Sequence, residues 1–192
     1  MKRRSEELRS MVLCAMFAAI VIVMTVVPYT GYIPAGISIT TLHIPVILCA
    51  IVLGWKYGAL IGGVWGIACL VKAFVEPIPG NIPFQNPVIS VIPRIIVGLA
   101  AAAVFALLIK KTNIEKHISA GIAAAAGTLT NTVLVLSALA AFGALGETTV
   151  ADTVKLIIET LVAVNGIIEL AAAIIIVPLL YSAVSHFFTK KN

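Results

Sequence analysis

Long apolar runs leave this chain few ways to fold. No Asp, Glu, Lys or Arg occurs between Arg9 and Lys56, and none between Arg94 and Lys110. One helical span requires about 20 apolar residues, so a chain of 192 residues has room for about six spans. Hydrophobic residues make up 61% of the chain and charged residues 11%, against about 25% charged in soluble domains. The chain is therefore predicted to be an integral membrane protein.

The runs are rich in Ala, Ile, Leu and Val, and they do not alternate strictly with polar residues. Because a backbone in lipid must satisfy its own hydrogen bonds, this pattern favours helices over a β-barrel. We predict an all-α membrane protein, a compact bundle of six transmembrane helices that forms a single domain over residues 1–192. The cationic start at Met1-Lys2-Arg3-Arg4 is typical of a signal peptide, but no small-residue cleavage site follows, so we expect it to remain as part of the first helix.

The predicted spans have clear limits in most places. In order they are Met11 to Pro28, His43 to Leu53, Gly58 to about Phe74, Ser90 to Ile109, Ile118 to about Phe142, and a last span that follows an amphipathic approach over Thr153 to Thr160 and ends near Phe188. The second run is short unless Ile37 to Leu42 joins it. Trp55-Lys56-Tyr57 is predicted to be an interfacial turn, and the proline-marked Val75 to Gln85 is predicted to be a loop without regular structure.

The cations predict the orientation. With six spans, one side of the membrane carries ten of the thirteen Lys and Arg residues: Lys2, Arg3, Arg4, Arg9, Lys56, Lys110, Lys111, Lys116, Lys190 and Lys191. Cytoplasmic loops carry such an excess, so both termini are predicted to lie on the cytoplasmic side of the plasma membrane. The connections at Tyr29 to Leu42, Val75 to Gln85 and Gly143 to Lys155 are then outside. The net charge of +5 reflects topology, and no nucleic-acid partner is predicted.

Arg94 is the charged residue that most demands a partner. It follows Pro87 and Pro93, which suit the first turn of a helix, and it begins a run without charge from Ile95 to Ile109. Arginine cannot lose its proton to escape a low dielectric, and ionisable groups at membrane depth usually face the bundle interior. We therefore predict an anion beside Arg94. The alternative is a side chain that snorkels to the headgroups.

Other uncommon polar residues are predicted to lie in the same outer half of the bundle. Asn131 lies in the fifth span, and Lys72 lies at the outer end of the third. Asn165 and Glu169 are four apart in the sixth span and so share one helix face. Together with Arg94 they predict a pocket that opens to the outside and suits a small polar or acidic ligand.

Each of these residues also has a structural interpretation. Asn131 could instead bond a neighbouring helix. Glu169 could pair with Lys72 or Arg94, or relay protons in a proton-coupled carrier. His43 could bind ligand, or cap and pack at the start of the second helix.

Small residues also recur at helical spacing. Gly58, Gly62 and Gly66 lie four apart in the third span, and Ala15 and Ala19 repeat this spacing in the first. Rows of this kind let helix backbones touch. They serve the bundle itself or form a docking surface for another membrane protein.

Several motifs of catalysis and cofactor binding do not occur in the sequence. It contains no phosphate-binding Gly-x-x-x-x-Gly-Lys-[Ser/Thr], no His-Glu-x-x-His and no Gly-x-Ser-x-Gly. Cys14, Cys49 and Cys69 are scattered singly, without the spacing of metal ligands. We predict no enzyme, no metal and no cofactor. The two halves also show no inverted repeat of broken helices, which favours a membrane-embedded binding protein that another component powers.

Four stretches together resemble the substrate-binding S component of energy-coupling factor (ECF) vitamin importers. They are Ala15-x-x-x-Ala19, Thr41-Leu42-His43-Ile44-Pro45-Val46, the glycine-rich Gly54 to Gly66, and Asn86-Pro87 leading to Pro93-Arg94. The resemblance implies a subunit that captures a vitamin from outside and then associates with a transmembrane coupling subunit and two cytoplasmic ATPases. It also implies that Ala15 and Ala19 dock on the coupling subunit.

Within that family the Asn86-Pro87 and Pro93-Arg94 pattern looks most like members specific for pantothenate, with folate members close behind. Pantothenate carries one carboxylate, which Arg94 could hold by two hydrogen bonds, and an amide and hydroxyls that Asn131 and Asn165 could hold. Folate would need a second cation, and Lys72 is the candidate. Riboflavin would favour stacked aromatic side chains. The candidates for stacking are Tyr29, Tyr32, Phe74, Phe84 and Phe142.

The two loops at Tyr29 to Leu42 and Val75 to Gln85 are predicted to form a lid, because glycine- and proline-marked segments over a rigid scaffold commonly gate ligands. Two functions of other classes remain open. One is a stand-alone proton-coupled carrier that uses Glu169, and the other is a purely structural membrane subunit.

Overall fold

The computed structural model describes residues 2–35, 37–143, 146, 149–162 and 164–189, with side chains for residues 6–32, 40–143, 146, 149–160 and 166–185. Its elements, in chain order, are α1 (Lys2–Val26), β1 (Tyr32–Ala35), β2 (Ile37–Thr40), α2 (His43–Leu53), α3 (Trp55–Val75), a 3₁₀ turn (Ile82–Gln85), α4 (Pro87–Ser90), α5 (Ile92–Lys111), α6 (Lys116–Ala141), α7 (Val150–Val162) and α8 (Val164–Thr189).

Five helical segments of the described chain are long and apolar enough to cross a bilayer. They are Glu6–Val26, Trp55–Val75, Pro87–Lys111, Lys116–Ala141 and Gly166–Ser185, and the shorter apolar helix His43–Leu53 accompanies them. The predicted all-α membrane bundle is thus confirmed. One small feature was not predicted: β1 and β2 form an antiparallel hairpin in which Tyr32 lies opposite Thr40 and Ala35 opposite Ile37.

The short helix α2 forms the centre of the bundle. Its 11 residues span about 16 Å, and every residue from His43 to Ile51 is buried. It contacts α1, α3, α5, α6 and α8. α2 matches the predicted run from His43 to Leu53, and Ile37 to Leu42 does not join it, because Ile37–Thr40 forms β2. A helix surrounded on all sides by protein can be uniformly apolar without crossing the whole membrane.

The interfacial turn predicted at Trp55-Lys56-Tyr57 is wrong, since these residues form the first turn of α3. Gly54 alone joins α2 to α3, and its φ of 94° lies in the region that glycine adopts without strain. The predicted loop from Val75 to Gln85 is wrong in part, because a 3₁₀ turn occupies Ile82–Gln85. The side chain of Gln85 holds this turn against α3 by donating to the Ala73 carbonyl at 3.0 Å.

A row of glycines brings α3 and α5 into backbone contact. A Cβ atom on Gly62 would lie 2.2 Å from the Arg94 carbonyl oxygen, and one on Gly98 would lie 2.2 Å from that of Gly58. A Cβ atom on Gly66 would lie 2.6 Å from the Val91 Cα. No real side chain fits such spaces, so these glycines set the depth at which α5 sits against α3.

Candidate ligand cavity

A cavity of about 700 Å³ lies at one end of the bundle. We call this the hairpin end, because α1 ends there, the β1–β2 hairpin follows, and α3 ends and α5 begins there. Cavities of this size are typical of small-molecule sites. Several residues that the sequence predicted to contact substrate line it: Tyr29, Tyr32, Lys72, Phe84, Arg94 and Asn131.

Arg94 lies in the first turn of α5 and is 5% exposed. One of its terminal nitrogens, Nη1, donates to the Ile89 carbonyl at 2.7 Å, while its Nε is buried without a partner. Among the described residues, ion pairs join Lys72 to Glu76 and Lys155 to Glu159, and no described carboxylate pairs with Arg94. A buried cation without a counter-ion is costly, and this guanidinium is available to an anionic ligand.

Two aromatic rings hold the guanidinium in place. Its central carbon lies 5.2 Å from the ring centroid of Trp65 on α3 and 5.1 Å from that of Phe84 in the 3₁₀ turn. Cation–π contacts at this distance are attractive, and more so where water is excluded. Trp65 is fully buried. The guanidinium is therefore fixed in orientation before any ligand arrives.

The segment before α5 positions Arg94 in the cavity wall. Asn86 caps α4, its side-chain oxygen accepting from the Val88 backbone N–H at 2.9 Å, and Pro87 occupies the first turn. Ser90 then donates from its hydroxyl to the Gly66 carbonyl at 3.2 Å. Asn86 thus has a capping role, and it does not line the cavity.

Lys72 lies on another wall of the cavity and has several partners. Its ammonium donates to the Thr25 carbonyl at 2.9 Å, lies 5.2 Å from the Tyr32 ring centroid and is 4.0 Å from a Glu76 carboxylate oxygen. The Tyr32 hydroxyl lies 3.0 Å from the Cys69 sulfur. Burial, with the neighbouring Cys69 adding to it, raises the pKa of Tyr32, so the phenol keeps its proton.

Three buried polar atoms on cavity-lining residues have no hydrogen-bond partner. They are the Arg94 Nε, the Trp65 Nε1 and the Asn131 Oδ1. Most buried polar groups in proteins are paired, so atoms of this kind mark places where a ligand can bind. The first two are donors and the third is an acceptor. Thr132 lines the same wall, but its hydroxyl donates to the Thr128 carbonyl at 3.4 Å within α6.

The remaining predicted site residues lie elsewhere. His43 is buried at the start of α2, and both its ring nitrogens lack a partner. Glu169 accepts from the Thr40 backbone N–H, so it holds β2 against α8. Neither residue lines the cavity. Asn165 belongs to α8, but its side chain lies outside the described residues. Across the described side chains, no three His, Cys, Asp or Glu residues converge as metal ligands would.

The sequence reasoning missed Trp65, Cys69 and Thr40, which also line the cavity. Two of them carried a signal, because Trp65, Cys69 and Lys72 recur at intervals of four and three along α3 and therefore share one helix face. Thr40 had none, since its place depends on a contact with α8 that is 129 residues away in sequence.

A second surface of interest lies on α1. Ala15 and Ala19 are both exposed on this helix, whereas the glycine row of α3 is covered by α5. The neighbouring Met11, Met16, Ile20 and Val23 are exposed as well. The face is open to lipid or to another membrane protein.

Comparison with known proteins gives the family. Residues 9–181 match the family model described as "ECF transporter, substrate-specific component". The chain is similar to the Pantothenic acid transporter PanT of Lactococcus lactis subsp. cremoris, at 33% identity over 180 residues that cover 84% of this chain and 86% of the relative. It is also similar to the Pantothenate transporter PanT of Leuconostoc mesenteroides subsp. mesenteroides, at 35% identity over 133 residues that cover 66% of this chain and 65% of the relative.

Proposed function

The chain belongs to the substrate-specific components of ECF transporters, and from this premise we propose that it is the pantothenate-binding subunit of an ECF importer. It captures pantothenate in the cavity at the hairpin end and delivers it together with an ATP-driven partner module. The names of both relatives support this choice of vitamin. The observation that carries it is the buried Arg94 guanidinium, which faces the cavity without a carboxylate partner.

The charge of the cavity suits a monocarboxylate. Its lining holds two cations, Arg94 and Lys72, and one carboxylate, Glu76. Glu76 lies beside Lys72, so a single carboxylate on the ligand would neutralise Arg94. In the proposed complex the pantothenate carboxylate binds Arg94 by two charge-assisted hydrogen bonds. The hydroxyls or the amide N–H donate to the Asn131 Oδ1.

The same features disfavour the other vitamins. A folate ligand would bring a second carboxylate to Lys72, whose charge Glu76 and the Thr25 carbonyl already offset. A flavin ring would need several aromatic faces for stacking. The rings of Trp65 and Phe84 already contact the Arg94 guanidinium, and the ring of Tyr32 contacts the Lys72 ammonium. Of the predicted stacking residues that line the cavity, this leaves Tyr29. Glu169, the candidate proton relay of a stand-alone carrier, accepts from the Thr40 backbone N–H and does not itself line the cavity.

The arrangement of charges supports an orientation for capture. Lys56 begins α3, Lys110 and Lys111 end α5, and Lys116 begins α6, so these cations lie at the end opposite the hairpin. Since cytoplasmic loops carry the excess of Lys and Arg, we place both termini in the cytoplasm and the cavity toward the outside. The two segments Tyr29 to Leu42 and Val75 to Gln85 then form the lid, and ATP hydrolysis belongs to the partner subunits.

Calorimetric titration of the purified protein with pantothenate tests the proposal. Replacing Arg94 with Gln removes the only predicted partner of the carboxylate, and losing such a charge pair costs about 2 to 5 kcal/mol, or roughly 30- to several-thousand-fold in affinity. Lys110→Gln removes a cation from the other end of the same helix and is the matched control, with unchanged affinity expected. Wild-type protein that does not bind pantothenate, or an Arg94→Gln variant that binds as the wild type does, would contradict the proposal.

We also propose that Ala15 and Ala19 dock on the transmembrane coupling subunit. Leu in place of either alanine would keep α1 apart from the facing helix of the coupling subunit, because small residues allow two helices to approach closely. We expect pantothenate affinity to stay unchanged while ATP-driven uptake in liposomes with the partner subunits falls at least tenfold. Ala103→Leu, at an exposed alanine of α5, is the control that leaves uptake intact. Full uptake by both α1 variants would exclude this surface.

A further inference from the structure

Helix α7 exposes both aliphatic and charged side chains, and neither water nor lipid alone suits both kinds. Val150, Val154 and Ile158 are 83%, 50% and 56% exposed, and their spacing of four places them within about 80° of one another around the helix. Removing an aliphatic side chain from water is favourable. Three of them in a row indicate a face that something apolar covers.

A separate arc of α7 is charged. Asp152, Lys155 and Glu159 are all exposed, and they begin about 60° beyond Ile158 around the helix axis. Lys155 and Glu159 form an ion pair at 3.8 Å, with side-chain exposures of 75% and 61%. An open pair of this kind belongs in water.

The third face of α7 packs on the bundle. Thr153, Leu156 and Thr160 are half-buried on it, and α7 contacts both α6 and α8. Thr160 lines the ligand cavity. The helix is therefore fixed to the protein along one side and divides its outer surface between an apolar and a charged arc.

The neighbouring helix indicates what covers the apolar arc. α8 begins at Val164, two residues after α7 ends, and its early residues Ile167 and Ile168 are 54% and 44% exposed. This part of α8 is one of the candidate membrane spans, so its exposed aliphatic side chains face lipid. The 26 residues of α8 cover about 39 Å, which exceeds the hydrocarbon thickness. α7 is therefore not needed to cross the membrane.

We propose that α7 lies in the interface of the bilayer at the hairpin end, with Val150, Val154 and Ile158 against the lipid acyl chains and the charged arc toward water. Adjacent apolar and charged faces are the signature of helices at this boundary. The N-terminus of α7 has a polar cap that suits the aqueous side. Thr149 and Asp152 cap each other there, with the Thr149 hydroxyl donating to the Asp152 carboxylate at 2.6 Å and accepting from the Asp152 backbone N–H at 3.2 Å. Lipid contact thus supports the cavity wall that contains Thr160, and this inference does not depend on which ligand binds.

Nitroxide labels at neighbouring positions test the proposal in the full chain reconstituted into phosphatidylcholine vesicles. Ile158→Cys and Glu159→Cys place the label on the apolar and the charged arc. The native Cys14, Cys49 and Cys69 are buried, and wild-type protein treated in parallel gives their background. Oxygen concentrates in lipid and a nickel chelate stays in water. We expect oxygen collisions to be several-fold more frequent at position 158 than at 159, and nickel collisions to show the opposite order.

Two results would overturn the proposal. Equal nickel collisions at both positions would place the apolar arc in water, and exclusion of both reagents at position 158 would show that protein covers it, such as a second copy of the chain. If the position 158 variant does not fold, the pair Val154→Cys and Lys155→Cys makes the same comparison one turn earlier.

Discussion

The cavity holds two cations, and their surroundings differ sharply. Arg94 is buried between Trp65 and Phe84, with one backbone carbonyl as its described hydrogen-bond partner. Lys72 is more exposed and contacts the Thr25 carbonyl, the Tyr32 ring and the Glu76 carboxylate. The guanidinium is held by groups that leave its charge uncompensated, whereas the ammonium is largely compensated by the protein itself.

This difference supports the proposal that Arg94 binds the ligand whereas Lys72 has a structural role. A cation whose charge is already offset gains little from a ligand carboxylate. A buried cation without a counter-ion gains the full attraction to a ligand carboxylate. Binding also removes the free-energy cost of leaving that charge buried and unpaired. We therefore expect Arg94 to determine affinity and Lys72 to hold the hairpin against α3.

The largest effect should come from changing the ligand and Arg94 together. Panthenol, which has a primary alcohol in place of the carboxylate of pantothenate, should bind the wild type about 30-fold to several-thousand-fold more weakly than pantothenate, because it cannot neutralise the guanidinium. Arg94→Gln should weaken panthenol binding far less than pantothenate binding. Calorimetric titration of wild type and Arg94→Gln with each of the two ligands gives the four affinities that this comparison needs. Equal losses for the two ligands would show that Arg94 acts on some other group.

An intermediate effect is expected from the glycine beneath Arg94. Gly62→Ala places a Cβ atom 2.2 Å from the Arg94 carbonyl oxygen, so α5 must move away from α3. Overpacking of this kind costs about 1 to 3 kcal/mol, and pantothenate affinity should fall about tenfold because the guanidinium leaves its aromatic pair. Gly63→Ala is the matched control, since its Cβ would meet Ile95 side-chain atoms at 3.8 and 3.9 Å, an ordinary contact. Thermal unfolding measures the loss of stability, and calorimetry measures the loss of pantothenate affinity. If the two variants behaved identically, the close contact between α3 and α5 would not be what positions Arg94.

The smallest effect is expected at Lys72. Ion pairs with partial exposure contribute about 0 to 1 kcal/mol, so Lys72→Gln should weaken pantothenate binding by no more than about fivefold. The same titration as for Arg94→Gln provides the measurement. A loss as large as that of Arg94→Gln would mean that both cations bind the ligand, and the distinction drawn between them would be wrong.

Much of the architecture was predictable from the sequence because lipid imposes simple rules. The limits of α2 and α3 agree with the predicted runs to within a few residues, since charge and apolar length decide where a span can lie. The amphipathic approach at Thr153 to Thr160 appears within α7. The hairpin was not predicted, because Tyr32 to Thr40 is short and carries no alternation strong enough to separate strand from loop.

The site was predictable only in part. Arg94, Lys72 and Asn131 stood out as polar residues in apolar surroundings, and all three line the cavity. Glu169 stood out for the same reason, but it bonds the backbone of Thr40. Trp65 was not singled out, although its ring faces the guanidinium and its N–H is unpaired. Residue type and depth identify polar groups that need a partner, but they do not say which partner each one finds.

The sequence by itself determined that this chain is a helical membrane protein, and it predicted that the fixed positive charge at position 94 needs an anion. Only the tertiary structure decided which cation is left uncompensated, because that depends on distances of a few ångströms between groups on different helices. The contact of Gly62 with the Arg94 backbone and the stacking of Trp65 and Phe84 on its side chain set those distances.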